Sequence, residues 1–328
     1  MDAADFQGRK VMILGGLGFI GSNLALRLVE HGAEVTLVDS MLPQYGGNLA
    51  NIEPFANRVR VNFSDIRDRF SLSYLVRDAE YIFSLAGQTS HIDSMTDPFT
   101  DLDVNCISQL SLLECCRHAN PRAKIVYTST RQIYGRPQYL PVDESHPLIP
   151  ADVNGINKLA AEQYYTLYSQ VYGMQCVSLR LTNTYGPRQH VSGNKQGFVG
   201  IFVRKAIDGE GISIFGDGQQ VRDFNYVDDV VDALMLAARH RKLAGQVFNL
   251  GAPDTYSLYE FVELLHDLCD FSHELVPFPP DQEAIDIGDY YGDYRRFQTA
   301  TGWEPRVRLP EGLAATVAYF RERKHQYW

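Results

Sequence analysis

Three stretches run together near the start of this chain. "KVMIL" (10–14) is a short apolar run stopped by glycine. "GGLGFIG" follows and sets Gly15, Gly18 and Gly21 at G-x-x-G-x-x-G spacing. "FIGSNLALRLVEHG" (19–32) then carries apolar residues at helical spacing and ends on glycine. A buried strand that turns through glycines into an amphipathic helix is the first half of a βαβ unit. The pattern continues. "EVTLVD" (34–39), "RVRVN" (58–62), "YIFSLAG" (81–87) and "KIVYTST" (124–130) read as further strands, with helical segments near 70–77 and 99–118 between them. Strand–helix alternation over about 180 residues predicts an α/β fold, a parallel sheet covered on both faces. No internal repeat, low-complexity tract or linker interrupts it.

The glycine turn has a chemical reading. Small residues let the backbone approach a pyrophosphate, which then sits on a helix N-terminus where free N–H groups and the helix dipole favour negative charge. Glycines alone also suit an ordinary βα turn. Here the second strand ends on Asp39. A carboxylate there accepts from a ribose 2′-OH and repels a 2′-phosphate. Together these features predict a dinucleotide site and favour NAD over NADP. Asp65 and Ile66, in "SDIRD" (64–68), are candidates to border the adenine; a solvated polar loop explains them as well.

Bulk properties narrow the partners. The formal net charge of −10 speaks against nucleic acid or an acidic membrane, so an anionic substrate needs a local basic site. Cys106, Cys115, Cys116, Cys176 and Cys269 show neither CxxC nor scaffold spacing, which suits a reducing, cytoplasmic compartment. Nine histidines form no HxxxH pair, so no metal is expected. The N-terminal residues show no signal peptide, and no apolar run is long enough to span a bilayer.

Beyond the glycines, "SLAGQTSHIDS" (84–94), "STRQIYG" (129–135), the helix bearing Lys158, "RLTNTYGPRQ" (180–189), "GDGQQVRDFNYVDD" (216–229), "FNLG" (248–251) and "TGWEP" (301–305) follow in order. The chain resembles the extended branch of the short-chain dehydrogenase/reductase superfamily, the nucleotide-sugar epimerases and dehydratases. The resemblance implies a Rossmann-type doubly wound parallel sheet with a smaller C-terminal α/β lobe. Residues 1–180 then form the main part of the NAD-binding domain. Residues 181–328 form mainly the substrate lobe, with some segments returning. It further implies that Gly15, Gly18, Phe19, Ile20, Gly21, Asp39, Ser40, Asp65, Ile66, Leu85, Ala86, Gly87 and Lys158 contact NAD. Family dimers pair through two helices per subunit, here 99–118 and 152–172, which implies a homodimer.

The same resemblance assigns roles in catalysis. Thr130 holds the place of the residue that bonds the sugar hydroxyl being oxidised. A family Tyr removes that hydroxyl's proton, and a Lys four residues later holds the nicotinamide ribose and lowers the Tyr pKa. Lys158 is present, but Asn154 stands where the Tyr belongs, and Asn157 replaces a usual small Ser. An amide does not titrate near neutrality. Three readings stay open: a working enzyme with a different proton route, a binder that turns over poorly, or a deliberate change. His91 is the best chemical substitute, since imidazole titrates near neutrality; an exposed or hydrogen-bonded loop His is the plain alternative. Arg131 and Gln132 replace the acidic pair of 4,6-dehydratases, which disfavours that reaction. Arg131 suits a substrate carboxylate or hydroxyl, or a loop salt bridge. Gln88 and Ser94 fall in the loop that the family places beside sugar and nicotinamide. Arg222 matches a family arginine on the nucleotide diphosphate, and Asn183 a residue reaching the same group. A second arginine is expected near 281–289, but "DQEAIDIGD" has none, which shifts weight to Arg222 and Lys195. The reading is an NAD-dependent nucleotide-sugar epimerase acting through a transient keto-sugar. A dehydratase or decarboxylase is the alternative, and a non-catalytic NAD or sugar-nucleotide binder another.

Overall fold

A computed structural model describes residues 6–42, 45–192 and 197–328. Its strands are β1 (Lys10–Leu14), β2 (Glu34–Val38), β3 (Val59–Asn62), β4 (Tyr81–Ser84), β5 (Lys124–Thr130), β6 (Gln175–Leu181), β7 (Asn183–Tyr185), β8 (Ile212–Phe215), β9 (Val221–Tyr226), β10 (Val247–Asn249), β11 (Thr255–Ser257) and β12 (His273–Val276). Seven of them form one sheet in the order β10-β6-β5-β4-β1-β2-β3, and every neighbour pair in it is parallel. The predicted Rossmann-type sheet is therefore present. The chain leaves β1 toward β2 on one side and later returns to β4 on the other. That reversal opens a crevice beyond the carboxyl ends of β1 and β4, where ligands of such sheets bind.

Both faces of the sheet are covered, which is why its strands read as continuous apolar runs rather than as alternation. Val11 and Ile13 pack in one core with the helix Phe19–Glu30, while Met12 and Leu14 pack in another with the helix Val153–Tyr172. The latter helix starts where Asp152 caps it, Oδ1 accepting from Gly155 N at 2.7 Å. It stops at Gly173, which takes the left-handed conformation (φ 67°). Its buried face runs through Asn154, Lys158, Ala161 and Tyr165, a helical stripe in which the polar members are as buried as the apolar ones.

The second half does not stay apart. Helix Val227–Arg239 packs into the first core, and β10 joins the edge of the large sheet beside β6. What remains forms a three-stranded sheet, β11-β9-β7, and a two-stranded one, β12-β8. These smaller sheets have their own core, built on Phe224, Phe261, Val203 and Phe320. Among the described residues, no helix is long and apolar enough to cross a membrane.

Candidate active site

A cleft of about 900 Å³ opens at the switch point, lined by the large sheet's strand ends on one side and by 181–222 and 278–287 on the other. The glycine turn forms its floor. Gly15 has φ 76°, and a Cβ there would lie 2.8 Å from Ala86 N. A Cβ on Gly21 would fall 2.2 Å from Gly15 O. Only glycine fits, and the resulting cradle brings bare backbone against the N-terminus of Phe19–Glu30. That cradle fits a dinucleotide pyrophosphate. Phe19, Ile20, Ser40, Leu85, Ala86 and Gly87 line the same cleft.

Asp39 lines the cleft at the end of β2. Its Oδ2 accepts from Leu17 N at 3.0 Å and its Oδ1 from Met41 N at 2.9 Å. Burial pushes its carboxyl up from the ordinary range, and those two N–H groups pull it back. Each oxygen keeps a second acceptor site for a ribose hydroxyl. Asp65 and Ile66 also line the cleft, but both Asp65 oxygens are held by Arg67, at 3.0 and 2.7 Å. The Arg67 guanidinium also holds the Asp65 carboxyl below its ordinary range. Asp65 thus shapes the loop, and Ile66 is the apolar surface there.

Lys158 also lines the cleft. Its Nζ donates to Thr128 O at 3.3 Å and would lie 3.0 Å from a side chain on Gly87. Burial brings its pKa down to about 8, with Asp101 acting the other way. The sign of its effect on stability follows. Below about 8 the lysine is charged in both folded and unfolded chains, and the folded state carries the desolvation cost. The cost disappears as pH rises from about 8 to the unfolded value of 10.5. At 1.36 kcal/mol per unit it amounts to about 3 kcal/mol. Lys158→Met should therefore stabilise the cofactor-free protein by up to that amount at pH 7 and by nothing near pH 10.5. Urea unfolding at both pH values checks this.

Asn154 lines the cleft, yet its amide is turned into the protein. Nδ2 donates to Gln88 O at 2.9 Å and to Asp101 Oδ2 at 3.1 Å. Asp101 is fully buried. It also accepts from Asn105 Nδ2 at 3.0 Å and from Asn157 Nδ2 at 2.8 Å. A buried carboxylate is tolerable only when its lone pairs are filled. Three amides fill them here, and two of the three are Asn154 and Asn157, the residues expected from sequence to depart from the family pattern. Asn154 and Asn157 are one structural unit around Asp101. Asp101 was not legible in the sequence, although its i, i+4 spacing to Asn105 faces the Asn154–Asn157 pair.

The proton-transfer candidates gather around Asp152. His91 lies on the cleft wall, its Nδ1 2.7 Å from Asp152 Oδ2, in close contact but off the line of a good hydrogen bond. Gln132 Nε2 donates to the same oxygen at 2.9 Å. The Asp152 side chain has no solvent exposure, so it is fixed from three sides. Thr130 lines the cleft too, and its hydroxyl accepts from Gln132 N at 3.2 Å. Ser129, which the motif reading passed over, lines it with a buried hydroxyl that has no partner.

Two expected contacts change. Ser94 does not line the cleft: it is fully buried in the helix His91–Thr96, and its Oγ donates to His91 O at 2.7 Å. Gln88 lines the cleft, but its side chain is spent on Ser90, Nε2 donating to Ser90 O at 2.9 Å and Oε1 accepting from Ser90 N. Its carbonyl, not its amide group, serves the site, by holding Asn154 and Asn105. Arg131, Asn183 and Arg222 come together on the wall formed by the second half. Lys195 lies outside the described residues.

Known proteins share this fold. Residues 11–251 match the model of the NAD dependent epimerase/dehydratase family. The UDP-glucose 4-epimerase of Mycolicibacterium smegmatis is 34% identical over 318 residues, covering 96% of this chain and 99% of that one. The UDP-glucose 4-epimerase of Thermotoga maritima, solved with UDP-glucose, superposes with a TM-score of 0.88 at 33% identity, over 96% of this chain and 99% of that one. The Thermus thermophilus UDP-glucose 4-epimerase, solved with NAD, gives 0.85 at 32% identity, over 95% and 99%. The chain belongs to the NAD dependent epimerase/dehydratase family, and its cofactor is NAD.

Proposed function

We propose that this protein epimerises a nucleotide-activated sugar through a transient keto-sugar, with His91 as the acid–base group and Asp152 as its positioning residue. The observation that carries the reading is the 2.7 Å approach of His91 Nδ1 to Asp152 Oδ2 on the wall that also bears Thr130 and Lys158. NAD, which the glycine turn, Asp39 and Lys158 would hold, would supply reversible hydride acceptance at a sugar ring carbon. Thr130 orients the hydroxyl on that carbon. His91 accepts the hydroxyl proton as the ketone forms and gives it back when the ketone is reduced from its other face. Asp152 Oδ2 stands 2.7 Å from Nδ1, so a small turn of the imidazole would engage the Nδ1 proton and leave Nε2 to exchange protons. A fixed carboxylate sets a histidine's tautomer in this way. Lys158 contributes positive charge at the nicotinamide ribose. Asn154 contributes no proton; its amide is held by Asp101 and Gln88.

Elimination of water is disfavoured, because Arg131 and Gln132 supply neither an acid nor a base. The protein should be incubated with UDP-, dTDP-, CDP- and GDP-sugars and followed by NMR. Interconversion of two epimers without net reduced cofactor supports the reading. A 4-keto-6-deoxy product or loss of carbon dioxide would replace it with the dehydratase or decarboxylase alternative. Binding without turnover would leave a binder.

The same reading divides the chain into an NAD-binding part, 1–180, and a substrate lobe, mainly 181–328, whose segments 227–249 return to the large sheet. The five cysteines are free and buried, which suits the cytoplasm. Phe99, Ile107, Ile156, Leu167 and Val171 are exposed on the helical segments 98–119 and 153–172. An apolar face of that kind fits a second copy of this chain. Sedimentation at micromolar concentration should give the mass of a dimer, and a monomer would remove this pairing.

A further inference from the structure

Two arginines share one wall of the cleft and differ in what neutralises them. Arg222, on β9, donates Nη1 to Val221 O at 2.9 Å and to Gly288 O, and its Nη2 lies 3.5 Å from Asp286 Oδ1. Arg131 reaches the wall from the turn after β5. Its Nη2 donates to Asn183 Oδ1 at 2.9 Å, and its guanidinium lies over the Tyr290 ring, 5.6 Å from the centroid. Among the described residues it makes no ion pair. Burial lowers the pKa of both guanidiniums, that of Arg222 to about 10, and the charge of Arg131 is the second cause at Arg222. Arg131 and Arg222 are thus neighbouring cations on the cleft wall; Asp286 stands at ion-pair distance from Arg222 only, and the buried Asp223 acts on both.

Asn183 is the clue to what the paired guanidiniums meet. The resemblance places it on the substrate diphosphate, yet both ends of its amide are already used. Oδ1 takes the Arg131 hydrogen bond, and Nδ2 donates to Asp223 O at 3.0 Å. The stretch 281–289, where a second arginine was expected, supplies the Asp286 carboxylate to Arg222 instead.

We propose that Arg131 replaces the missing arginine as the second cation on the substrate's diphosphate, with Asn183 as the residue that positions it. The proposal rests on the nucleotide-sugar reading of the cleft. A diphosphate offers acceptors on two phosphoryl groups, and two guanidiniums side by side match them with charge-assisted, forked hydrogen bonds. The fixed partner of Arg131 is Asn183 and its charged neighbour is Arg222, both on the second-half wall. Its guanidinium is therefore held on the Asn183 side of the cleft, with Asp152 the last of the charged groups that act on it. An arginine turned toward the sugar ring would read a sugar carboxylate instead.

Calorimetric titration of the NAD-loaded protein separates these cases. The wild type is titrated with UDP, dTDP, CDP and GDP, then with the glucose and glucuronate conjugates of the nucleotide that binds. Arg131→Gln should lose at least about tenfold in affinity for the bare diphosphate. It should lose the same factor for both conjugates, with its NAD content unchanged as the sign of an intact fold. Arg131→Lys keeps the charge without the fork and should recover part of the loss. A loss confined to the glucuronate conjugate overturns the proposal, because Arg131 would then read the sugar. Equal binding of the bare diphosphate by wild type and Arg131→Gln also overturns it and leaves the nucleotide-sugar reading standing. If the wild type binds none of the four diphosphates, that reading falls and takes this assignment with it.

Discussion

Asn154→Tyr should lower turnover at least about tenfold and destabilise the protein by about 2–4 kcal/mol, rather than restore a lost activity. The side chain at 154 is 2% exposed and sits among Gln88, Asp101 and the two other asparagines. A phenol there supplies at most one donor, while the amide supplies two, to Gln88 O and Asp101 Oδ2. Removing it leaves a fully buried carboxylate short of a donor, and the larger ring has to displace its neighbours. Lys158, four residues on, would favour phenolate if the ring reached the cleft. A rise in turnover would therefore mean that Asn154 is a defect in a decayed site. Urea unfolding and initial rates on the same preparation read both halves of the expectation.

Local chemistry was legible in the sequence, and long-range pairing was not. β1 and β5 occupy the predicted ranges 10–14 and 124–130, because a buried parallel strand is a continuous apolar run bounded by turns. The glycine turn was legible for the same reason: its steric demand lies within one βα unit. The strand read over 81–87 ends at Ser84, and Leu85, Ala86 and Gly87 leave the sheet to line the cleft. Ser94 was misplaced because its motif marks a segment near the site without saying which face of the helix His91–Thr96 turns inward. Asp101 and Asp152 were missed as site residues. Their partners, Asn154 and His91, are brought to them only by tertiary packing. An odd residue such as Asn154 signals a change. What it is coupled to depends on residues some fifty positions away in the chain.

His91→Ala should lower turnover by roughly 10²–10⁴-fold, the span of a lost general acid–base group. NAD content and sugar-nucleotide affinity should stay near those of the unmodified protein, because among the described residues His91 makes no hydrogen bond or ion pair with the glycine cradle, Asp39, Arg131 or Arg222. His91→Gln would keep the side chain polar and of similar reach without the proton chemistry, so it should share the loss. Asp152→Asn should reduce turnover less. It keeps a helix cap and a polar neighbour for the imidazole but removes the carboxylate that sets its tautomer. The central claim is that proton transfer rests on the His91–Asp152 pair and not on residue 154. Rapid mixing of the NAD-loaded protein with its sugar nucleotide, followed at the absorbance band of the reduced cofactor, tests this most directly. The account predicts a fast transient in the unmodified protein and its near-absence in His91→Ala at saturating substrate. A transient of unchanged rate and amplitude in His91→Ala would contradict it.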